Sequence, residues 1–190
     1  MAYVYDEGAR AAREAIIGTL LRSVGEDPTR EGLQETPARV AKAWETWTEG
    51  YRMDANEVLK TFESGTYDQM VIVKDIPVYS KCEHHLADIF GTATVAYIPN
   101  QRVVGLSKLS RVVNIFARRL QVQERMTDEI ADALANSDLK PIGVGVHLKC
   151  RHMCMESRGI CQHGHHTMTT ALRGELREGD PRAEFMALVR

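Results

Sequence analysis

No apolar run in this 190-residue chain approaches the ~20 residues of a bilayer-spanning helix, and Met1-Ala2-Tyr3-Val4-Tyr5-Asp6-Glu7 lacks the layout of a secretory signal. A basic excess is missing too. With a formal charge of -2, the chain lacks the cationic balance of a general nucleic-acid or anionic-membrane binder, so the expected partner is a small molecule. Cysteine is sparse, at Cys82, Cys150, Cys154 and Cys161. In a chain expected in the cytoplasm these are thiols or metal ligands rather than disulfides. Repeats and low-complexity tracts are absent as well. What is present is 44% hydrophobic content, enough to bury the core of one domain carrying an extra helical segment.

Helical spacing of Ile16, Ile17, Leu20, Leu21 and Val24 predicts a helix over 6–24, with Asp6 as N-cap and Gly25 at its stop. Thr36-Pro37 supplies an N-cap and a first-turn proline for a second helix, with Val40, Trp44 and Trp47 on one stripe and Gly50 at its end. The two tryptophans are expected as packing anchors. A short helical piece is expected at 57–62, followed by β-branched strands over 69–80 and 88–98. A helix then runs through Leu109, Val112, Val113 and Phe116, a polar break spans 121–125, and another helix covers 127–135. Strands at 142–155 and 166–172 and a terminal helix from Asp180-Pro181 complete the chain. This order, strand-strand-helix-helix-strand-strand, predicts an α+β fold: an antiparallel sheet with helices on one face. Residues 1–64 would be a helical arm and 65–190 the core.

The densest chemistry lies in Cys82-Glu83-His84-His85, in the connection between the first two strands, and in His152-Met153-Cys154. If 142–155 is a strand, His147, Cys150, His152 and Cys154 are expected on one alternating face. Two thiolates and an imidazole suit Zn²⁺, and three protein ligands (Cys82, His85 and Cys154) would leave the fourth position to water. Zinc can bring the pKa of water from 15.7 to about 7, which suits hydrolysis, with His84 and His152 as proton carriers. The Cys82-x₂-His85 spacing also fits a closed structural site completed by Cys150, His152 or Cys161, and spacing alone leaves both readings open.

Two further groups point to a substrate. Ser107, Lys108 and Arg111 begin a helix, where cations run against the helix dipole and are expected to answer to an anion. Glu124, in the polar break, could accept two hydrogen bonds from the ring N–H and exocyclic amine of a guanine. With Arg39 and Arg158, the pattern is a nucleobase at one end and a polyphosphate at the other.

These residues resemble the GTP cyclohydrolase I family. The resemblance runs from Glu35-Thr36-Pro37-Ala38-Arg39 through Cys82-Glu83-His84-His85, Gly105-Leu106-Ser107-Lys108-Leu109-Ser110-Arg111, Gln121-Val122-Gln123-Glu124-Arg125 and His152-Met153-Cys154 to Arg158-Gly159-Ile160. It implies a tunnelling fold whose sheets join into a barrel-like ring, a homodecamer of two stacked pentamers, and active sites between subunits. It also implies Zn²⁺ on Cys82, His85 and Cys154, acid and base roles for His84 and His152, and GTP as substrate. Ser107, Lys108, Arg111, Arg39 and Arg158 would surround the triphosphate and ribose, and Gln123 with Glu124 would recognise guanine. The implied reaction opens the imidazole ring at C8, releases formate and recloses to 7,8-dihydroneopterin triphosphate. Alternatives are a relative that stops at a ring-opened product and a non-catalytic zinc protein that binds a purine nucleotide. Leu120 and His165 depart from the family, which has proline and serine there. The histidines at 163–166 are expected as an exposed loop rather than a second metal site.

Overall fold

A computed structural model describes residues 7–63 and 67–190, so the Asp6 cap lies outside the described residues. Helix α1 (Glu7–Ser23) gives way at Gly25, whose φ of +90° is the left-handed value glycine adopts without strain. Helix α2 (Thr36–Trp47) carries its proline in the first turn, with Glu35 rather than Thr36 in the cap position. It packs along α1, and Arg10 holds Glu45 of α2 through two hydrogen bonds of 2.7 and 2.8 Å.

The chain then approaches the core backbone to backbone at Gly50. The Gly50 N–H donates to the Arg118 carbonyl at 3.0 Å, and a Cβ here would lie 2.0 Å from the Ile115 carbonyl oxygen. Any side chain at position 50 would force this seam apart.

The helical piece expected at 57–62 is shorter and earlier. It is α3 (Ala55–Val58), capped by the Asp54 carboxylate on the Asn56 N–H, and is followed by strand β1 (Thr61–Glu63). Strands β2 (Val71–Cys82), β3 (Asp88–Ile98) and β4 (Arg102–Val104) lead to helix α4 (Leu106–Ala117). Pairing explains the change at 61–63, because β1 lies antiparallel to β4 and Arg102 donates to the Thr61 hydroxyl at 2.8 Å. That tertiary partner overrides local helical spacing.

A two-residue strand β5 (Leu120–Gln121), helix α5 (Gln123–Ala135), strand β6 (Gly143–His152), a helical turn α6 (Met153–Glu156), strand β7 (Thr167–Gly174) and helix α7 (Gly179–Leu188) follow. The main sheet has the order β5-β2-β3-β6-β7. Its long strands are antiparallel, and β5 lies parallel to Lys81 and Cys82 only. The rest of the outer edge of β2, and that of β7, carry no strand among the described residues.

Helices α4 and α5 cover one face of the sheet, as expected. Leu109, Val112, Val113, Met126, Ile130 and Leu134 bury against Val78, Val95, Val146 and Leu148. Each of these side chains contributes about 1.5–3 kcal/mol by leaving water, which fixes both helices on the sheet. Helix α7 covers part of the opposite face, where Phe185 joins Ala96 and Ile98.

A bulge decides which face β2 presents at its functional end. Val73 pairs with Val95, but the next pair is Ile76 with Ala93, and Asp75 takes a φ of +58° in the extra step. Because strand side chains alternate, one inserted residue exchanges the faces. Ile76, Val78 and Cys82 therefore point into the core beneath α4 and α5. At the same end, Lys81 is buried with its Nζ 3.8 Å from the centre of the Trp47 ring, so the tryptophans anchor the arm to the sheet.

Candidate metal centre

Cys82 ends β2 only 6% exposed, and the chain reverses tightly around it. Its N–H donates to the Ala87 carbonyl at 2.8 Å and its carbonyl accepts from Leu86 N–H at 2.8 Å, with Leu86 at a φ of +56°. This turn swings His85 back over the sulfur, so that His85 Nδ1 lies 3.8 Å from Cys82 Sγ. From the other side, the strand expected to run to 155 stops at His152, and Cys154 lies in the α6 turn. The break matters because β3 separates β2 from β6, a spacing of roughly 9.6 Å that side chains on straight strands would not bridge. The helical turn carries Cys154 across the end of β3, and the donor atoms of Cys82, His85 and Cys154 all lie within 4.8 Å of one another.

Among the described residues no fourth His, Cys, Asp or Glu joins them. Cys150 is buried in the core, where desolvation pushes its thiol up to about 12, and Cys161 is exposed. A tetrahedral zinc with bonds of ~2.3 Å to sulfur and ~2.1 Å to nitrogen would hold those atoms about 3.6 Å apart, so the trio fits such an ion with a coordination position to spare. Burial, and then the neighbouring Cys82 thiol, raise the Cys154 pKa, an arrangement that a cation between the sulfurs would reverse.

His152 ends β6 two residues before Cys154, on the face it shares with Cys150, while His147 lies on the other face. Counted along β6, positions 148, 150 and 152 alternate together, so the expected common face does not include His147. His147 instead meets the Thr170 hydroxyl at 2.9 Å. His152 Nε2–H donates to Gln123 Oε1 at 2.7 Å, since the Gln123 amide nitrogen is itself a donor, to the Thr167 carbonyl at 3.0 Å. The neutral ring thus keeps its lone pair on Nδ1. Burial, with His165 nearby, lowers the pKa of His152, and Glu124 opposes the shift.

Gln123 is 1% exposed and opens α5, so the polar break expected at 121–125 is largely the start of a helix, with Glu124 exposed in its first turn. The Gln123 side chain is engaged by His152 and β7, which leaves Glu124 as the member of the expected pair whose carboxylate faces outward. His84 is largely exposed, its Nδ1 3.9 Å from Cys82 Sγ. Glu83 pairs with Arg125, which holds the Glu83 carboxyl below its ordinary range and braces the turn against α5. Sequence reasoning passed over this pair, although Glu83 sits inside the cysteine-histidine motif and Arg125 follows Glu124.

Ser107 and Lys108 lie in the first turn of α4 and Arg111 in its second. The end of α4 leads to β5 beside Cys82, and a 12-residue helix is about 18 Å long, so one chain does not bring these residues to the trio. Arg39 is exposed on α2, paired with Glu35. Arg158 is exposed in the loop after α6, near enough to Cys154 to oppose the rise in its pKa. Among 163–166, His163 and His166 are exposed, but the His165 side chain is only 12% exposed, so the segment expected as an exposed loop is buried at one histidine.

The GTP cyclohydrolase I family profile matches residues 13–190. The chain belongs to the GTP cyclohydrolase I family. It is 57% identical over 172 residues to a GTP cyclohydrolase 1 of Nitrosospira multiformis, covering 89% of this chain and 90% of that one. A GTP cyclohydrolase 1 of Brucella canis is 50% identical over 190 residues, covering 98% of this chain and 89% of that one. Among solved structures, an apo archaeosine synthase QueF-Like superimposes with a TM-score of 0.44 at 18% identity, over 55% of this chain and 93% of that one. A guanine-bound dihydroneopterin aldolase from Burkholderia gives 0.42 at 15%, over 57% and 93%.

Proposed function

We propose that this GTP cyclohydrolase I family member is a zinc-dependent enzyme that opens the imidazole ring of GTP at C8, releases formate and recloses the rearranged chain to 7,8-dihydroneopterin triphosphate. The reading is carried by the convergence of Cys82, His85 and Cys154 from two distant segments, with His152 two residues before Cys154. Zn²⁺ held by these three side chains would supply the Lewis acid that makes water nucleophilic near neutral pH. His152 presents Nδ1 as proton acceptor because Gln123 fixes its other nitrogen as a donor. His84, on the exposed side of the turn, is the second proton carrier. Glu124 receives the guanine ring N–H and amine, and Ser107, Lys108, Arg111, Arg39 and Arg158 meet the triphosphate and ribose.

Because α4 starts about 18 Å from its metal-side end, the phosphate residues acting on a given metal belong to a neighbouring copy. Open edges on β2 and β7 suit head-to-tail pairing of copies into a ring, and the expected assembly is a homodecamer of two stacked pentamers in the cytoplasm. No helix of the described residues is long and apolar enough to cross a membrane. The test is incubation of metal-quantified protein with GTP, with formate and every nucleotide product identified by mass. Formate and the pterin triphosphate are expected, and a chelator should abolish both. Failure of zinc-loaded protein to consume GTP would overturn the proposal, and a ring-opened product alone would restrict it to the first step.

A further inference from the structure

Residues 157–166 link α6 to β7 and carry Arg158, yet every side chain in the segment is exposed except that of His165. Gly159, Cys161 and Gly164 all have positive φ, so the loop follows a winding path. Two backbone hydrogen bonds tie it to α6: Ser157 N–H to the Met153 carbonyl at 2.9 Å and Gln162 N–H to the Met155 carbonyl at 3.0 Å. His165 supplies what the exposed residues lack. Its side chain is 12% exposed and its Nδ1–H donates to the Gln162 carbonyl at 2.9 Å. The same nitrogen lies 3.9 Å from a carboxylate oxygen of Glu156, which Arg151 grips from the other side.

Strand register places this imidazole with respect to the metal centre. The last β6–β7 pair is Cys150 with Thr167, and the same register continued two steps past the paired residues would set His152 opposite His165. Thr167, two residues on, accepts from the Gln123 amide that also receives His152. His165 is therefore the point where the Arg158 loop is pressed against both α6, which carries Cys154, and the end of β6.

We propose that His165 is a positioning residue that plugs the loop into the metal-centre wall and so sets where Arg158 stands. The consequence for substrate rests on the reading, given above, that Arg158 meets an anionic part of GTP.

His165→Ala and His165→Ser remove the plug, and His165→Asn restores an amide N–H where Nδ1 stood. With zinc content measured in each, the Ala and Ser variants are expected to raise KM for GTP about fivefold at nearly unchanged kcat, and Asn to return KM close to the parent value. Combined with Arg158→Ala, His165→Ala should add little, because both changes remove one contact. An unchanged KM in the Ala and Ser variants, a fall in kcat alone, or full additivity with Arg158→Ala would overturn the inference. Tryptic cleavage after Arg158 gives a readout that needs no turnover: faster in Ala and Ser, restored in Asn, with equal rates in all three counting against the plug. If the parent enzyme forms no formate from GTP, the cyclohydrolase reading fails and the cleavage rates still decide the role of His165.

Discussion

At the end of α4 the chain delivers a sulfur, an imidazole and a second sulfur to one point, each fixed by a turn or a bulge. At its start it leaves a serine, a lysine and an arginine on open helical turns. The contrast follows from what each group must do. Metal ligands have to stand within tenths of an ångström of their positions, which one chain's hydrogen bonds can enforce. Cations that meet a triphosphate act over longer distances, and a neighbouring copy can bring them.

Removing a ligand breaks the first half of the comparison most severely. Cys82→Ser is expected to lose its zinc and at least ~10³-fold of formate release while keeping its secondary structure, read by elemental analysis beside the GTP assay. Deleting Asp75 should come close to this without touching a ligand. Loss of the bulge residue turns Cys82 toward the opposite face, and zinc content is expected to fall to about a tenth or less. A deletion variant with full zinc would show that the bulge does not set the face.

Lys108→Ala probes the other half. Loss of a charge-assisted contact of about 2 kcal/mol should raise KM for GTP roughly 30-fold with zinc unchanged. Co-assembly of Cys82→Ser and Lys108→Ala chains, each inactive or weak alone, should restore on the order of a quarter of the sites if neighbours share them. No recovery in mixed assemblies would place both groups in one chain.

Gln123→Leu leaves both ligands and cations in place but frees His152, and about a tenfold loss of kcat is expected at unchanged zinc content. The smallest effect concerns stability. Burial, and then Lys149, hold the His147 pKa below its ordinary value, so the unfolded chain takes up this proton at higher pH than the folded one. The stabilising contribution is present above about pH 6.5 and is lost as the pH falls toward the folded value. His147→Gln should therefore reduce the drop in melting temperature between pH 7 and pH 5, by about 2 °C.

The convergence of Cys82, His85 and Cys154 and the strand-strand-helix-helix-strand-strand order were legible because the chemistry is dense and the long elements are periodic. Alternation misled wherever the backbone departs from it. His147 and Cys150 differ in parity and so face opposite ways, and Cys154 leaves the strand for a helical turn that carries it across the end of β3. The face of Cys82 depends on one residue of bulge that no spacing rule marks. Gln123 read as a loop residue because its own neighbours are polar, yet its amide is held by a histidine and a threonine far along the chain. Likewise β1 owes its conformation to a partner some 40 positions away.

The sheet ends on both sides in peptide groups that, among the described residues, no strand of the same copy pairs over most of their length. If copies close into a ring through these borders, part of what holds each one folded comes from the others, and mass action then governs it. Heat resistance would climb with protein concentration and fall on dilution, so a melting point for this protein has meaning only beside the concentration at which it was taken.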